Sequence, residues 1–416
     1  MNLYKHQKEA LQRTMLLKRM AFYLDPGLGK TFVGSEAADR LKAKITLVVC
    51  QKSKVRDWVE HYETYYSGAY DLTNKKQFKE FIENPKGVAV INYELLFRRP
   101  DLLDLKNFTL MLDESSMISN EKAKRTKFVL KMNPDNVILL SGTPTAGKYE
   151  KLWSQLRLLG WNISKRLFYQ EFVVTQMREV NRSGFRIPIV VGYRNVCRLK
   201  RLLRHYGAVF MKAEDVLELP EQYEITKEVP PNRAYRTFQK NRVVKIKGRE
   251  LVGDTTLTQM LYERQLCGLY SEEKMQAFQD LLESSDDRFL VFYNFTEERE
   301  RLREICIRLA KPVSIIAGDI KDLSAYEECS DSVTLIQYQA GAMGINLQKS
   351  NKVIYFSLPL QSELFEQSKK RIHRIGQERT CFYWYLMCRD SIEQKIRKAL
   401  IKRHDYTERL FEDEDF

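Results

Sequence analysis

The chain of 416 residues predicts an α/β protein with two parallel-sheet lobes in tandem, joined by a helical and basic region. Three observations carry that prediction. Short apolar runs with few charges alternate with helical or loop segments, as strands buried on both faces of a parallel sheet do. The pattern occurs once before residue 150 and again after about 255. Between the two lies a stretch rich in cations and poor in apolar residues, QKNRVVKIKGRE at 239–250.

Element by element, LYKHQKEALQRTMLLKR (3–19) has a helical apolar period, and AFYLD (21–25) is a strand that leads into a glycine-rich turn. ITLVVC (45–50), GVAVINY (87–93), FTLMLDE (108–114) and NVILLSGT (136–143) are further strands. Residues 148–230 are expected to be mainly helical. Within them YRNVCRLKRLLRHYG (193–207) carries Arg194, Arg198, Arg201 and His205 on one stripe and Val196, Leu199, Leu203 and Tyr206 on another. RFLVFYN, VSIIAG, VTLIQY, KVIYFS and CFYWYLM supply the strands of the second lobe, and a long terminal helix ends in the acidic FEDEDF. The expected domains are 1–230, a basic linker or small protrusion at 231–254, and 255–416.

Composition narrows the function classes. An apolar fraction of 44% excludes a wholly disordered chain. Lys and Arg number 69 against 55 Asp and Glu, a formal charge of +14, which suits a polyanionic partner. No apolar run reaches the roughly 18 residues of a spanning helix, and the start shows no signal-peptide pattern. Seven scattered cysteines form no zinc or redox motif. A cytoplasmic protein with reduced thiols and no membrane partner is expected.

Two local motifs carry chemistry. DPGLGKT (25–31) follows a strand and opens a helix. Gly27 and Gly29 allow a tight turn of inward-facing N–H groups, Lys30 reaches the β and γ phosphates, and the Thr31 hydroxyl ligates Mg²⁺. LMLDESS (110–116) delivers Asp113 and Glu114 to the C-terminal end of a strand. Asp113 is then a Mg²⁺ ligand, and Glu114 orients the attacking water.

From these residues onward the chain resembles the superfamily 2 helicase fold, and within it the Swi2/Snf2-like DNA-dependent ATPases, which implies two RecA-like lobes. The likeness runs through nearly the whole chain in the family's motif order. YKHQKEAL resembles the adenine-side element, which implies that Gln7 reads the base. DPGLGKT is similar to motif I, with Pro26 where Met is usual. VVCQKSKVRDWVEHY resembles motif Ia with Ser53 and the Trp58 region, and INYELL resembles motif Ib with Asn92 and Tyr93. In motif II, Ser115 and Ser116 stand where the family has Ala or Gly and then His, the residue that links the nucleotide site to motif III. LSGTPTAG resembles motif III, so Ser141, Gly142 and Thr143 are implied to couple the Mg²⁺ site to the inter-lobe cleft.

MKAEDVLELP (211–220) and YSEEKMQAFQDLL (270–282), with Lys212 and Lys274, resemble the segments that lead into lobe 2. FLVFYNFTEERERL resembles motif IV. QYQAGAMGINLQKSNKVIYF resembles motif V, carrying Gln339, Gly341, Gly344 and Asn346, and Gly344 is implied in nucleotide binding. Ser357 follows it where Asp is common. QSKKRIHRIGQ resembles motif VI, with Gln367 in coupling and Arg371 and Arg374 as arginine fingers. Their i, i+3 spacing is expected to place both on one helix face.

The resemblance implies ATP and Mg²⁺ as cofactors, and hydrolysis coupled to translocation on DNA. The DNA is expected to be duplex, held by its backbone at Ser53, Asn92, Tyr93, Gln339 and Asn346. RNA is the weaker alternative. The compact form resembles phage or bacterial members, which implies a role in replication, recombination or repair beside a nuclease or replication partner. The competing readings are a strand-separating helicase and a nucleic-acid-binding scaffold without hydrolysis.

Overall fold

The computed structural model describes residues 2–145, 147–179, 186–318, 320–341 and 346–411. The chain divides into two compact units, 1–217 with 405–416, and 218–404.

The first unit is built on β1 (Arg19–Leu24), β2 (Ile45–Cys50), β3 (Tyr70–Asp71), β4 (Gly87–Asn92), β5 (Phe108–Asp113), β6 (Asn136–Ser141) and, further along the chain, β9 (Ala208–Met211). Among the described residues they form a seven-stranded sheet in the order β3-β4-β2-β5-β6-β1-β9. Every pairing is parallel. β2 and β6 are buried at every position, which explains their unbroken apolar runs. The helices Lys30–Leu41 and Val55–Tyr65 follow β1 and β2, and their apolar faces close on the sheet.

Residues 148–230 depart from the expected helical character. β7 (Val173–Glu179) and β8 (Arg186–Tyr193) pair as an antiparallel hairpin, and β9 and β10 (Gln222–Val229) are sheet strands. Both faces of the β7–β8 hairpin are largely exposed, so its sequence lacks the apolar alternation that marks a half-buried strand. The basic helix is present as Val196–His205, with Leu199 and Leu203 fully buried.

The second unit holds the hairpin β11 (Val243–Ile246) and β12 (Arg249–Val252), then β13 (Phe289–Tyr293), β14 (Val313–Ile316), β15 (Lys321–Asp322), β16 (Val333–Gln337), β17 (Lys352–Tyr355) and β18 (Cys381–Cys388). Its main sheet, also seven-stranded among the described residues, runs β10-β18-β17-β13-β16-β14-β15, parallel except for the short β14–β15 pair. β10 pairs with β18 over its whole length, so residues 222–229 lie in the second sheet, ahead of the expected linker. That linker is a helix, Arg233–Asn241, followed by the β11–β12 hairpin. Two α/β units with parallel-dominated sheets match the expected fold class of tandem RecA-like lobes. Among the described residues no helix is long and apolar enough to cross a membrane.

Candidate nucleotide site and its supports

In the first unit β1, β5 and β6 lie near one another in the sheet and all end at the same edge. A parallel sheet therefore collects the loops DPGLGKT, DESS and SGTPT at one edge, where such sheets take ligands. Gly27 and Gly29 both have left-handed backbone (φ 97° and 76°), and Gly29 caps the helix that starts at Lys30. Lys30 Nζ bonds the Leu24 carbonyl at 3.1 Å, and Thr31 is half-buried in the first turn. A Cβ on Gly142 would stand 2.8 Å from Pro26 Cδ and 3.3 Å from Lys30 Nζ, so the approach of motif III to the phosphate loop requires glycine.

Gln7 is buried, with both ends of its amide in use. Its Nε2 donates to the Leu28 carbonyl at 3.1 Å, and its Oε1 accepts from the Tyr4 N–H at 2.9 Å. In this structure it braces the loop from behind.

Asp113 accepts a hydrogen bond from the buried Trp58 indole at 2.9 Å. Tyr93 is fully buried, and its hydroxyl donates to the Asp113 carbonyl at 2.8 Å. Burial pushes the Tyr93 phenol well above its ordinary value, with Asp113 adding to the effect, so it stays a neutral donor. This corrects its expected place on the nucleic-acid surface. Asn92 is likewise buried and donates to Glu94 at 3.0 Å. Ser53, Gln339 and Asn346 are exposed as a contact residue must be.

Glu114 has left-handed backbone (φ 51°), a strained conformation for a non-glycine residue at a functional turn. Ser141 Oγ donates to Glu114 Oε2 at 3.2 Å and accepts from the Thr143 N–H at 3.1 Å. Motif III thus grips the expected water-orienting carboxylate directly.

The serines of motif II have a structural account in part. Ser115 Oγ donates to Gln155 Oε1 at 2.8 Å, Tyr23 OH donates to the same oxygen at 2.9 Å, and Gln155 Nε2 donates to the Pro144 carbonyl at 2.8 Å. All three side chains are fully buried. Gln155 therefore joins β1, motif II and motif III. No sequence motif marks it, because it lies in the helix Trp153–Leu158, outside every motif.

In the second unit the helix Ser362–Lys369 stops before the two arginines. Arg371 and Arg374 lie in a turn segment, which corrects the expected shared helix face. Ile372 is fully buried, Gly376 has φ 90°, and Gln377 Nε2 donates to the carbonyls of Gln348 (3.1 Å) and Ser350 (2.8 Å). His373 is hydrogen-bonded to the Pro220 carbonyl at 2.9 Å. These anchors hold motif VI against the end of motif V. Burial lowers the Arg374 guanidinium from its ordinary value. Gln367 is half-buried, and Gly344 lies outside the described residues.

Ser357 also finds its reason here. Its Oγ donates to Glu298 Oε2 at 2.8 Å and accepts from Asn294 Nδ2 at 2.9 Å. Glu298 is fully buried and also accepts the Asn294 and Phe295 N–H groups at 3.1 and 3.2 Å. An aspartate at 357 would set a second carboxylate against the first, whereas a hydroxyl can donate to it. Lys274 is fully buried too and pairs with Glu393 at 2.5 Å, tying the helix Glu272–Glu283 to the last helix of the chain.

Comparison with known proteins shows the family. Residues 6–273 match the SNF2-related domain and residues 273–376 the helicase conserved C-terminal domain. The chain belongs to the SNF2-related family of ATP-dependent helicases and translocases. It is 23% identical to the uncharacterized ATP-dependent helicase YqhH of Bacillus subtilis, over 96% of this chain and 77% of that protein. It is also 23% identical to the SWI/SNF-related matrix-associated actin-dependent regulator of chromatin subfamily A-like protein 1 of Drosophila melanogaster, over 91% of this chain and 52% of that one. The human DNA excision repair protein ERCC-6 is 22% identical over 88% of this chain and 28% of its own length. The chain thus spans about half or less of two of these three relatives. Among solved structures, the Sulfolobus solfataricus SWI2/SNF2 ATPase core in complex with dsDNA aligns with a TM-score of 0.47 and 20% identity, covering 98% of this chain and 92% of that one.

Proposed function

We propose that the chain hydrolyses ATP to ADP and phosphate and uses the cycle to move along duplex DNA. The observation that carries the reading is the bonded set at one sheet edge: Lys30 in the glycine turn, Asp113 held by Trp58, and Glu114 held by Ser141. Thr31 and Asp113 offer the hard oxygen ligands that Mg²⁺ prefers, and the narrow space at Gly142 suits a phosphate cradle. Thr31 and Asp113 would hold such an ion, which would supply charge neutralisation at the phosphate oxygens. Lys30 and the N–H groups of the turn hold the phosphates, and Glu114 orients water. Arg371 and Arg374 neutralise charge as it develops on the γ phosphate. Gln367 takes part in coupling, and Gly344 in nucleotide binding. The DNA is gripped by its backbone, with Ser53, Gln339 and Asn346 among the contacts, and the setting is phage or bacterial replication, recombination or repair.

The test is steady-state ATP hydrolysis by the purified chain with no nucleic acid, single-stranded DNA, duplex DNA or RNA. Strong stimulation by duplex DNA, lost in Arg371→Ala and Arg374→Ala, is the expected result. Stimulation by single strands or RNA alone sinks duplex translocation, and no hydrolysis under any condition sinks the motor.

A further inference from the structure

The segment 233–249 carries seven cations and no acid. Its cations divide into two groups. Lys245, Lys247 and Arg249, on the hairpin, lie 4.0, 3.1 and 3.7 Å from Glu250, Glu272 and Glu297. Arg233, Arg236, Lys240 and Arg242 have no ion pair and no side-chain hydrogen bond among the described residues, and all four are exposed.

The first three of these form a surface. They sit at i, i+3 and i+7 of the helix Arg233–Asn241, which places them on one face. The opposite face is fixed in the core: Tyr235 and Phe238 are buried, and the Tyr235 hydroxyl accepts the Ile392 N–H at 2.8 Å. Asn232 caps the helix through the Tyr235 N–H at 2.7 Å and donates to the carbonyls of Leu266 and Tyr270, both at 2.9 Å. The backbone carrying the charges is therefore held in place before any partner arrives. From Arg233 to Arg242 the chain presents cations that pair with no acid among the described residues.

The basic helix Val196–His205 makes a useful contrast. There Arg198 pairs with Glu171 at 2.5 Å and Arg194 donates to the Val173 carbonyl at 3.4 Å, so two members of that stripe tie local structure together. Like-charged neighbours on a helix face repel one another, and a stripe of three without acids is held at a cost to stability. A polyanion with regularly spaced charge removes that cost.

We infer that the stripe Arg233–Arg236–Lys240, with Arg242 at its end, is a phosphate-backbone contact of the second unit. It spans about 10 Å of helix axis, about the axial rise of three successive phosphates on one DNA strand. Nucleic acid is the occupant because both charge sign and spacing match, and Thr237 and Gln239, which flank the stripe on the helix, are polar. The inference rests on the proposed DNA motor and adds a contact outside its motif loops.

The test is the salt dependence of duplex DNA binding by the full chain, compared with an Arg233→Gln/Arg236→Gln/Lys240→Gln variant. Each phosphate contact contributes about 0.9 to the slope of log affinity against log salt, so the variant's slope is expected to be shallower by about 2 to 3. The charge-keeping variant Arg233→Lys/Arg236→Lys/Lys240→Arg keeps the wild-type slope. Lys247→Gln/Arg249→Gln, which removes cations already paired, changes it by less than one contact. An unchanged slope in the triple variant, with wild type binding duplex DNA normally, overturns the stripe and leaves the motor standing. Loss of binding to anionic phospholipid vesicles in place of the DNA effect also overturns it. If wild type binds no nucleic acid, both readings fall.

Discussion

The indole N–H of Trp58 donates to the carboxylate of Asp113 at 2.9 Å, across 55 residues of chain. It joins the helix after β2 to the end of β5 and fixes one oxygen of the expected metal ligand. Trp58→Phe keeps an aromatic ring and removes the donor together with part of the indole's buried volume. A hydrogen bond to a charged group contributes about 1.5–3 kcal/mol, so a fall in kcat of about tenfold or more is expected. The Mg²⁺ concentration for half-maximal hydrolysis should rise as well. A change in thermal stability with no change in Mg²⁺ dependence would mean that Trp58 only fills space.

Glu114 is held by Ser141 in a strained turn, as a group poised over a nucleophile would be. Glu114→Gln is expected to lower hydrolysis by about 10²–10⁴-fold while ATP binding persists. Equilibrium binding of a fluorescent ATP analogue separates the two effects. Equal loss of binding and turnover would contradict the role.

Gln155 bonds Tyr23, Ser115 and Pro144 at once, and so ties β1, motif II and motif III together. Gln155→Leu should leave unstimulated hydrolysis within a few-fold of wild type and reduce the stimulation ratio with duplex DNA. The ratio is the informative readout, since a variant that is merely less folded loses both rates in proportion.

Lys274 and Glu393 form an ion pair at 0% and 4% side-chain exposure. Removing one member strands the other charge in the core. Lys274→Met is therefore expected to cost about 3–5 kcal/mol of stability, measured by chemical denaturation. The double variant Lys274→Met/Glu393→Leu should recover much of that loss. Absence of recovery would show that the pair is not the source of the effect.

Glu298 gives a pH dependence with a definite sign. Burial raises its carboxyl above the ordinary 4.5, and the Asn294 N–H only partly offsets this. A raised folded value means that the fold favours the protonated form. Its contribution is fully present below the ordinary value and is lost as pH rises through the folded value. Glu298→Gln cannot ionise, so its melting temperature should gain on wild type as pH is raised from about 4 to 8. Parallel curves would show that Glu298 does not titrate in that range.

The sequence by itself determined the local chemistry of the site. Strand, glycine turn and helix start at 19–31 are contiguous, so chain order alone places Lys30 and Thr31 at a helix N-terminus. The fully buried runs at 45–50 and 136–141 announce parallel strands for the same local reason. Tertiary structure decided what depends on distant partners. Tyr93 and Asn92 read as surface groups until their burial is known, and Gln155 carries no motif because its partners lie at positions 23, 115 and 144. Arg371 and Arg374 leave the helix because Gln377 is drawn to carbonyls at 348 and 350. The exposed β7–β8 hairpin has no buried face to impose a period on its sequence. Spacing along the chain encodes what neighbours do to one another, and a hydrogen bond across 27 or 55 residues leaves no period to read.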